Sequence, residues 1–342
     1  MPVSRSGVTT GTAKHRWYTH LMTQVSPVFT DYEQQVIREI ASHKVQPHAI
    51  QRLLETVGRP VSRLLSAARD SNNRALRGLT ERIHGWVEEG LIKTFKAANR
   101  ITNPREVMRR YAARGMRVDD VESLRYLPLS ILDAVADSFN FQSGLLLGVE
   151  GAVLGGATTM AEGIPGAQLV IPSLILTDIT TSLTLLSRHT CRIATAYGFS
   201  SRNPDNVPHL IAAMAPQPET GDEGYMTLKT AVVTSIAESG KFLARSGAVI
   251  IDRRLLEREA PQMIRLIAYV ADRLGVVLTE KELGIIVPVA GAVLNSSLNV
   301  AFQRLGHQTA KDYFRRLILE DRYGEEIVSY AVAQEIAILK GG

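Results

Sequence analysis

Seven glycines fall within residues 144–166, in the segment GLLLGVEGAVLGGATTMAEGIPG. Glycine at this density is typical of a phosphate-binding loop, a membrane-spanning helix, or a surface where two helices approach closely. A phosphate loop needs a set glycine spacing after a strand, with a lysine or a helix start to hold the anion. From Tyr126 to Ser187 there is no Lys, Arg or His, whereas five carboxylates occur there. A nucleotide phosphate would meet like charge in this segment, so the phosphate-loop interpretation is excluded.

A membrane-spanning helix is the second possibility, and it needs about 20 mainly apolar residues. Only 11 residues separate Glu150 from Glu162. Residues 163–187 include Asp178, and an aspartate near a bilayer centre costs about 3 kcal/mol. Residues 283–303 carry no charge, but proline, serine and asparagine weaken that segment as a span. Insertion of residues 163–187 or 283–303 is the less favoured alternative and stays open at this point.

Close helix packing is the third possibility and the one that the glycine spacing favours. Gly144 with Gly148, and Gly151 with Gly155, are four residues apart, so each pair leaves a notch on one helix face. The tetrapeptide Gly-Ala-Val-Leu that begins at Gly151 begins again at Gly291. These five glycines are therefore predicted to be helix-packing positions. The sequence predicts a compact, all-α multi-helix bundle with Gly-rich, tightly packed central helices.

Hydrophobic periodicity supports the same fold class, because apolar residues recur every three to four positions and alternating strand patterns are scarce. The predicted organisation has three parts: a basic N-terminal extension over residues 1–45, a basic amphipathic helical region over 46–122, and an apolar helical core over 123–342. Within the second part, residues 74–100 are predicted to form an amphipathic helix. Residues 105–122 are predicted to be a charged connector.

Charge is distributed unevenly along the chain. Residues 1–125 hold 21 Lys and Arg against 12 Asp and Glu, whereas the remaining residues carry a net charge of −4. Such a basic half attracts a polyanion, either anionic lipid or nucleic acid, although solvated surface charge gives the same pattern. The residues predicted to form a membrane or anion surface are Arg74, Arg77, Arg82, Lys93, Lys96 and Arg100. A helix of this kind lies on a membrane or packs on its own domain.

The first residues are basic but lack the apolar segment that a secretory signal contains. The chain also has a single cysteine, so it cannot form an internal disulfide. A cytoplasmic location is therefore predicted.

Three segments carry a resemblance to a known family. They are LRYLPLSILDAVADSF from Leu124, the block from Gly151 that ends in SRNP, and VPVAGAVLNSSLNVAFQRLGHQTAKDYFRRLILE from Val287. Together they resemble successive blocks of the EcsC protein family, over residues 46–335. The resemblance implies a helical, cytoplasmic, membrane-associated protein. The family takes its name from a gene beside an ABC transporter, which adds a membrane transporter complex to the expected partners, and some members carry a hydrolase label.

Candidate chemistry centres on carboxylates in the apolar core. Asp133 and Asp137 lie at positions i and i+4 of a predicted helix, which is an arrangement that a metal site or an acid/base pair uses. Buried carboxylates need partners, so a structural ion-pair network is the favoured interpretation and catalysis the alternative. The predicted polar cluster comprises Asp133, Asp137, Asp178, Arg188, His189 and Arg192. Glu81 and His84 form a single E-x-x-H, whereas helical di-metal sites use two. No metal and no cofactor are predicted.

The predicted function is that of a non-enzymatic helical protein that associates reversibly with anionic membrane lipid or a membrane complex, at the inner face of the cell membrane. Two alternatives remain. One is a hydrolase or metal-dependent enzyme that uses the carboxylate cluster. The other is nucleic-acid binding through the basic half, which is less favoured because no recognisable module or stacking aromatics accompany the arginines.

Overall fold

A computed structural model describes residues 29–46, 50, 52, 74–101, 103–139, 171–216, 223–245, 253–286 and 291–341. The described part of the chain is all-α, as predicted, and contains eleven α-helices. They are α1 (Asp31–Val45), α2 (Arg74–Ile101), α3 (Pro104–Ala112), α4 (Leu129–Asp137), α5 (Ile171–Ala196), α6 (Val207–Ala212), α7 (Glu223–Arg245), α8 (Arg253–Glu259), α9 (Pro261–Ile286), α10 (Gly291–Tyr323) and α11 (Glu325–Leu339). Two 3-10 helices, Glu122–Tyr126 and Pro204–Asn206, lie between α3 and α4 and between α5 and α6.

The long helices α2, α5, α9 and α10 form the centre of the bundle. Helix α2 packs on both α5 and α9. Helix α10 also packs on α5 and α9. Ile83, Val87 and Leu91 of α2 are completely buried, and they follow the one-sided spacing that predicts an amphipathic helix over residues 74–100. That prediction is confirmed, and the helix packs on the body of the protein through its apolar side.

The region between α2 and α4 differs from the sequence prediction. Asn103 accepts a hydrogen bond from the backbone N–H of Arg105 (3.1 Å) and Pro104 is the first helical residue, so a new helix begins here. Residues 104–112 therefore form helix α3, and the prediction of a connector holds only for the residues after it. The reason for the difference is burial: Val107 and Tyr111 are one turn apart and enter the core, although arginines surround them.

Helix α5 ends at a glycine whose backbone conformation few other residues adopt. Gly198 has φ of +86°, and the Phe199 N–H donates to the carbonyl of Ala194 (2.8 Å), which closes the last turn. A Cβ on Gly198 would also lie 3.1 Å from the Val121 carbonyl oxygen. This position therefore requires glycine for its conformation and for the close approach of a neighbouring backbone.

Glycines at helix contacts let α5 approach two neighbours. A Cβ on Gly90 of α2 would lie 2.6 Å from Leu183 Cδ1, and a Cβ on Gly306 of α10 would overlap the side chain of Leu186. Leucines of α5 thus fill the space that these glycines leave open. The predicted packing positions Gly144, Gly148, Gly151 and Gly155 lie outside the described residues, while Gly291 is the first residue of α10.

Helix α1 belongs to the packed body, although it lies within residues 1–45, which the sequence predicts to be an N-terminal extension. Thr30 and Glu33 form a reciprocal capping box at its start. Val36, Ile37 and Ile40 are buried, and the helix packs mainly on α11 near the other end of the chain. None of the helices that the structure describes has both the length and the hydropathy that crossing a bilayer requires.

Candidate functional site

The centre of the candidate site is the carboxylate of Asp133, which is 1% exposed on helix α4. Tyr32 Oη donates to its Oδ2 (2.5 Å), and Tyr197 Oη donates to its Oδ1. Arg315 contributes three further hydrogen bonds, from Nε to both oxygens (3.0 and 2.9 Å) and from Nη2 to Oδ2 (2.7 Å). Residues from α1, α4, the end of α5 and α10 therefore converge on one carboxylate that accepts five hydrogen bonds.

The donors around Asp133 are held in their protonated forms. Burial, followed by the neighbouring charge of Asp133, raises the pKa of Tyr197 well above its ordinary value. Burial lowers the pKa of Arg315, but the hydrogen bonds and charge of Asp133 outweigh this and raise it. Arg315 also donates from Nη1 to Glu39 on α1 (2.8 Å). The arrangement holds a charged pair in the core and fastens α1 to it.

Asp137 lies one turn beyond Asp133 and is half exposed. Lys311 Nζ donates to both of its oxygens (2.7 and 2.8 Å), and His307 Nε2 lies 3.2 Å from Oδ1. Burial favours the neutral acid, but the hydrogen bonds from His307 and Lys311 outweigh it and lower the pKa of Asp137 to about 2. The Asp137 carboxylate is therefore ionised at neutral pH.

A second histidine extends this chain of contacts into the core. His307 Nδ1 lies 2.9 Å from His189 Nε2, so the order from the surface inward is Asp137, His307, His189. Burial, and then the proximity of His307, lowers the pKa of His189 to about 3. His189 is accordingly a neutral imidazole whose role here is to hold α5 against α10.

Asp178 belongs to a different cluster. Lys281 on α9 donates to Asp178 and, at 3.0 and 3.2 Å, to Ser182 and Glu282. Burial raises the pKa of Glu282 well above its ordinary value, which makes its carboxyl group neutral beside the Asp178 and Lys281 pair. This cluster joins α5 to α9 and is separate from the one around Asp133.

A third buried group joins α7 to α10. Glu320 accepts hydrogen bonds from Arg316 Nε (2.9 Å), Tyr225 Oη (3.0 Å) and Lys229 Nζ (2.5 Å). The guanidinium of Arg316 also stacks 3.6 Å from the centre of the Tyr225 ring. Each of the three groups contains charged side chains from two or more helices, so their common effect is to fix how the helices are aligned.

The structure divides the six residues of the predicted polar cluster. Asp133 lies in the network with Arg315, and Asp137 and His189 lie in the neighbouring chain of contacts through His307, whereas Asp178 lies in the Lys281 cluster. Arg188 is exposed on α5. Arg192 lies 3.5 Å from Glu106 on α3 and contacts neither Asp133 nor Asp137 in an ion pair within the described residues.

Sequence reasoning missed the cations that neutralise Asp133 and Asp137. His307, Lys311 and Arg315 are spaced four apart on α10, as the two aspartates are on α4. Residues four apart share a helix face, so a row of carboxylates and a matching row of basic residues were both present in the sequence. Asp133 pairs with Arg315, and Asp137 pairs with Lys311 and His307.

The surface contains a second feature, which we call the α3 arginine surface. It consists of the exposed residues Arg105, Arg109, Arg114, Arg117 and Arg188. The contact between Arg192 and Glu106 places α5 beside α3, and Arg188 lies one turn before Arg192. No ion pair to any of these five arginines is found among the residues that the structure describes. Four of them lie in residues 105–122, the segment that the sequence predicts to be a connector.

The predicted basic surface on α2 is less uniform. Arg82 and Lys93 are exposed, but Glu81 and Glu89 are exposed beside them, and Lys93 Nζ pairs with Glu89 (2.8 Å). The side chains of Arg74, Arg77, Lys96 and Arg100 lie outside what the structure describes. The described part of α2 therefore carries both signs of charge.

An open groove of about 500 Å³ lies between α2 and α9. Glu81, His84 and Glu88 line one side and Asp272 the other, with His84 Nδ1 3.7 Å from Asp272. The predicted E-x-x-H motif thus borders this groove. In the described ranges, no three His, Cys, Asp or Glu side chains are arranged to hold a metal ion.

Comparison with known proteins adds no assignment. No family model matches the sequence, and no curated protein or solved structure matches it. The resemblance to the EcsC family therefore remains a prediction from the sequence segments.

Proposed function

We propose that this protein is a non-enzymatic helical protein that binds reversibly to anionic membrane surfaces through the α3 arginine surface. The observation that carries the proposal is the set of five exposed arginines that have no carboxylate partner in the described chain. The EcsC resemblance, with its membrane association, agrees with the proposal.

Electrostatics supports a membrane as the target. Residues 104–117 contain five arginines and a single glutamate, so a concentrated positive charge lies on one short segment. Each Lys or Arg near an anionic leaflet contributes about 1 kcal/mol, and guanidinium groups pair well with lipid phosphates. A surface of this size provides reversible attachment without any inserted helix.

The carboxylate network supports a structural role for the core rather than catalysis. Asp133 accepts five hydrogen bonds, so its oxygens are already engaged by Tyr32, Tyr197 and Arg315. A general base needs an oxygen that reaches a substrate proton. The geometry of Asp133 favours the holding of Arg315 in the core.

Co-sedimentation with vesicles of phosphatidylcholine and phosphatidylserine tests the proposal. The protein is expected to sediment with these vesicles at low salt and to be released at high salt, since exposed charges are screened by salt. With vesicles of phosphatidylcholine alone it should stay in the supernatant. Replacement of Arg105, Arg109, Arg117 and Arg188 by Gln should weaken binding by roughly two to three orders of magnitude.

A matched control removes the same charge elsewhere. Lys241, Arg254, Arg265 and Arg304 are exposed on other helices. Their replacement by Gln should leave most of the binding intact. Absence of binding at low salt, or an equal loss in both variants, contradicts the proposal. Tighter binding to random-sequence duplex DNA in a gel shift would favour the nucleic-acid alternative.

A further inference from the structure

Two arginines from neighbouring helices face one carboxylate next to the α3 arginine surface. Arg110 Nη2 lies 3.7 Å from Glu106 Oε1, and Arg192 Nε lies 3.5 Å from Glu106 Oε2. Charge-assisted hydrogen bonds between a guanidinium and an oxyanion are normally about 2.7–2.9 Å long. The Glu106 carboxylate therefore lies between the two cations without a short contact to either of them.

The Arg110 guanidinium is held in place by contacts other than Glu106, and the Arg192 guanidinium lies near the same aromatic ring. Arg110 Nη1 donates to the Ser138 carbonyl and hydroxyl, both at 2.9 Å. The Phe139 ring lies under both arginines, with the guanidinium carbons 3.9 Å (Arg110) and 6.0 Å (Arg192) from its centre. Stacking on an aromatic face and hydrogen bonding orient guanidinium groups in advance.

The three side chains around this position are partly exposed to solvent. The side chains of Arg110, Glu106 and Arg192 are 22%, 29% and 34% exposed. Arg188 lies one turn away on the same helix as Arg192 and is exposed. An anion that reached this position would meet two guanidinium groups, of which Arg110 is oriented by Ser138 and Phe139, and a third cation nearby.

We infer that Arg110 and Arg192 form a binding site for a phosphate monoester group, which Glu106 occupies when no ligand is bound. A phosphate monoester has three terminal oxygens and more negative charge than a carboxylate, so it can form short contacts with both guanidinium groups at once. This inference rests on the proposed function, because it specifies which headgroup chemistry the basic surface recognises. The same chemistry occurs in phosphatidic acid and in free inorganic phosphate.

The position of Glu106 gives the site a measurable signature. Its negative charge repels an arriving phosphate, and it has to leave the space between the arginines. Glu106→Gln removes the charge and keeps the shape, so it should tighten binding of the phosphate by about fivefold, the contribution expected of a unit charge near contact distance in water. Arg192→Gln should remove the preference for monoesters.

Vesicle binding provides the first arm of the test. Phosphatidic acid carries a monoester and phosphatidylglycerol a diester, and the two vesicle preparations are matched for surface charge. The wild-type protein is expected to prefer phosphatidic acid, Glu106→Gln to strengthen that preference, and Arg192→Gln to abolish it. Glu335→Gln on α11 is the control for a general change in net charge.

Inorganic phosphate provides the second arm, read from the side-chain Nε–Hε signals of Arg110 and Arg192 in NMR spectra at constant ionic strength. Saturable shifts that grow in Glu106→Gln support the site, and they identify free phosphate as the ligand if vesicles of both kinds fail to bind. Equal effects of Glu106→Gln and Glu335→Gln, or a monoester preference that survives Arg192→Gln, overturn the site. Binding to both vesicle types without preference leaves the proposed membrane function intact and overturns only this inference.

Discussion

Replacement of Asp133 by Asn tests whether the buried carboxylate network holds the fold together. The substitution keeps the size of the side chain but removes its charge and half of its acceptor capacity. Arg315 is 4% exposed and loses its closest counter-charge. Removal of one partner from a buried ion pair costs about 3–5 kcal/mol when the other charge loses its main compensation, and Arg315 then keeps only the partly exposed Glu39 as a short ion-pair contact. That is a large fraction of a typical unfolding free energy of about 5–15 kcal/mol.

Asp137→Asn is the matched comparison, since Asp137 lies one turn away on the same helix and is 51% exposed. Partly exposed ion pairs contribute about 0–1 kcal/mol, so the expected loss is several-fold smaller. Urea unfolding followed by circular dichroism gives both values from the transition midpoints. A similar slope in all variants would show that the compactness of the two states is unchanged.

A double-mutant cycle isolates the pair. In an Arg315→Met background, Asp133→Asn should cost much less than in the wild-type protein, because the guanidinium that loses its buried partner is already absent. The reasoning is refuted if Asp133→Asn destabilises the protein no more than Asp137→Asn does. It is also refuted if the two effects at Asp133 and Arg315 are simply additive.

Two further predictions concern backbone conformation and pH. Gly198→Ala should lower the unfolding free energy by at least about 1–2 kcal/mol, because φ is positive there, whereas Gly85→Ala, at an open helical position, should raise it by about 1 kcal/mol. Thermal unfolding of both variants checks this, and equal shifts would contradict it. His189 has a folded-state pKa of about 3, while an unfolded histidine titrates near 6.5. Between pH 6.5 and about pH 3 the unfolded chain therefore binds a proton at His189 that the folded protein does not. The unfolding free energy should fall by about 1.4 kcal/mol for each unit that the pH drops through this range. His189→Gln should reduce this slope in urea unfolding at a series of pH values, and an unchanged slope would count against the assignment.

The fold class could be predicted from the sequence because helical periodicity is a local property. The helix over Arg74–Ile101 follows directly from its apolar stripe. Helix α3 was missed because its arginines dominate its composition. Only two of its residues, Val107 and Tyr111, are buried in the core. A single helix, α10, runs from Gly291 to Tyr323 and includes most of the uncharged segment 283–303 together with the charged residues that follow it.

The candidate site was only partly predictable. Asp133 was identified as a buried carboxylate in need of a partner, but Arg315 lies 182 residues away in the sequence. Pairing at that separation depends on how the helices pack, which periodicity does not determine. The i, i+4 spacing of His307, Lys311 and Arg315 was the available signal, and it becomes informative only when it is matched to the spacing on α4.

The contacts of α1 with α10 and α11 have a consequence for synthesis of the chain. Glu33 accepts a hydrogen bond from Arg322, 289 residues later, so α1 leaves the ribosome long before its partners exist. Contacts between residues so distant in sequence slow folding, and apolar surface that waits for them is prone to aggregation. Nascent chains stalled before residue 322 should accordingly leave the buried face of α1 accessible to chaperones and proteases.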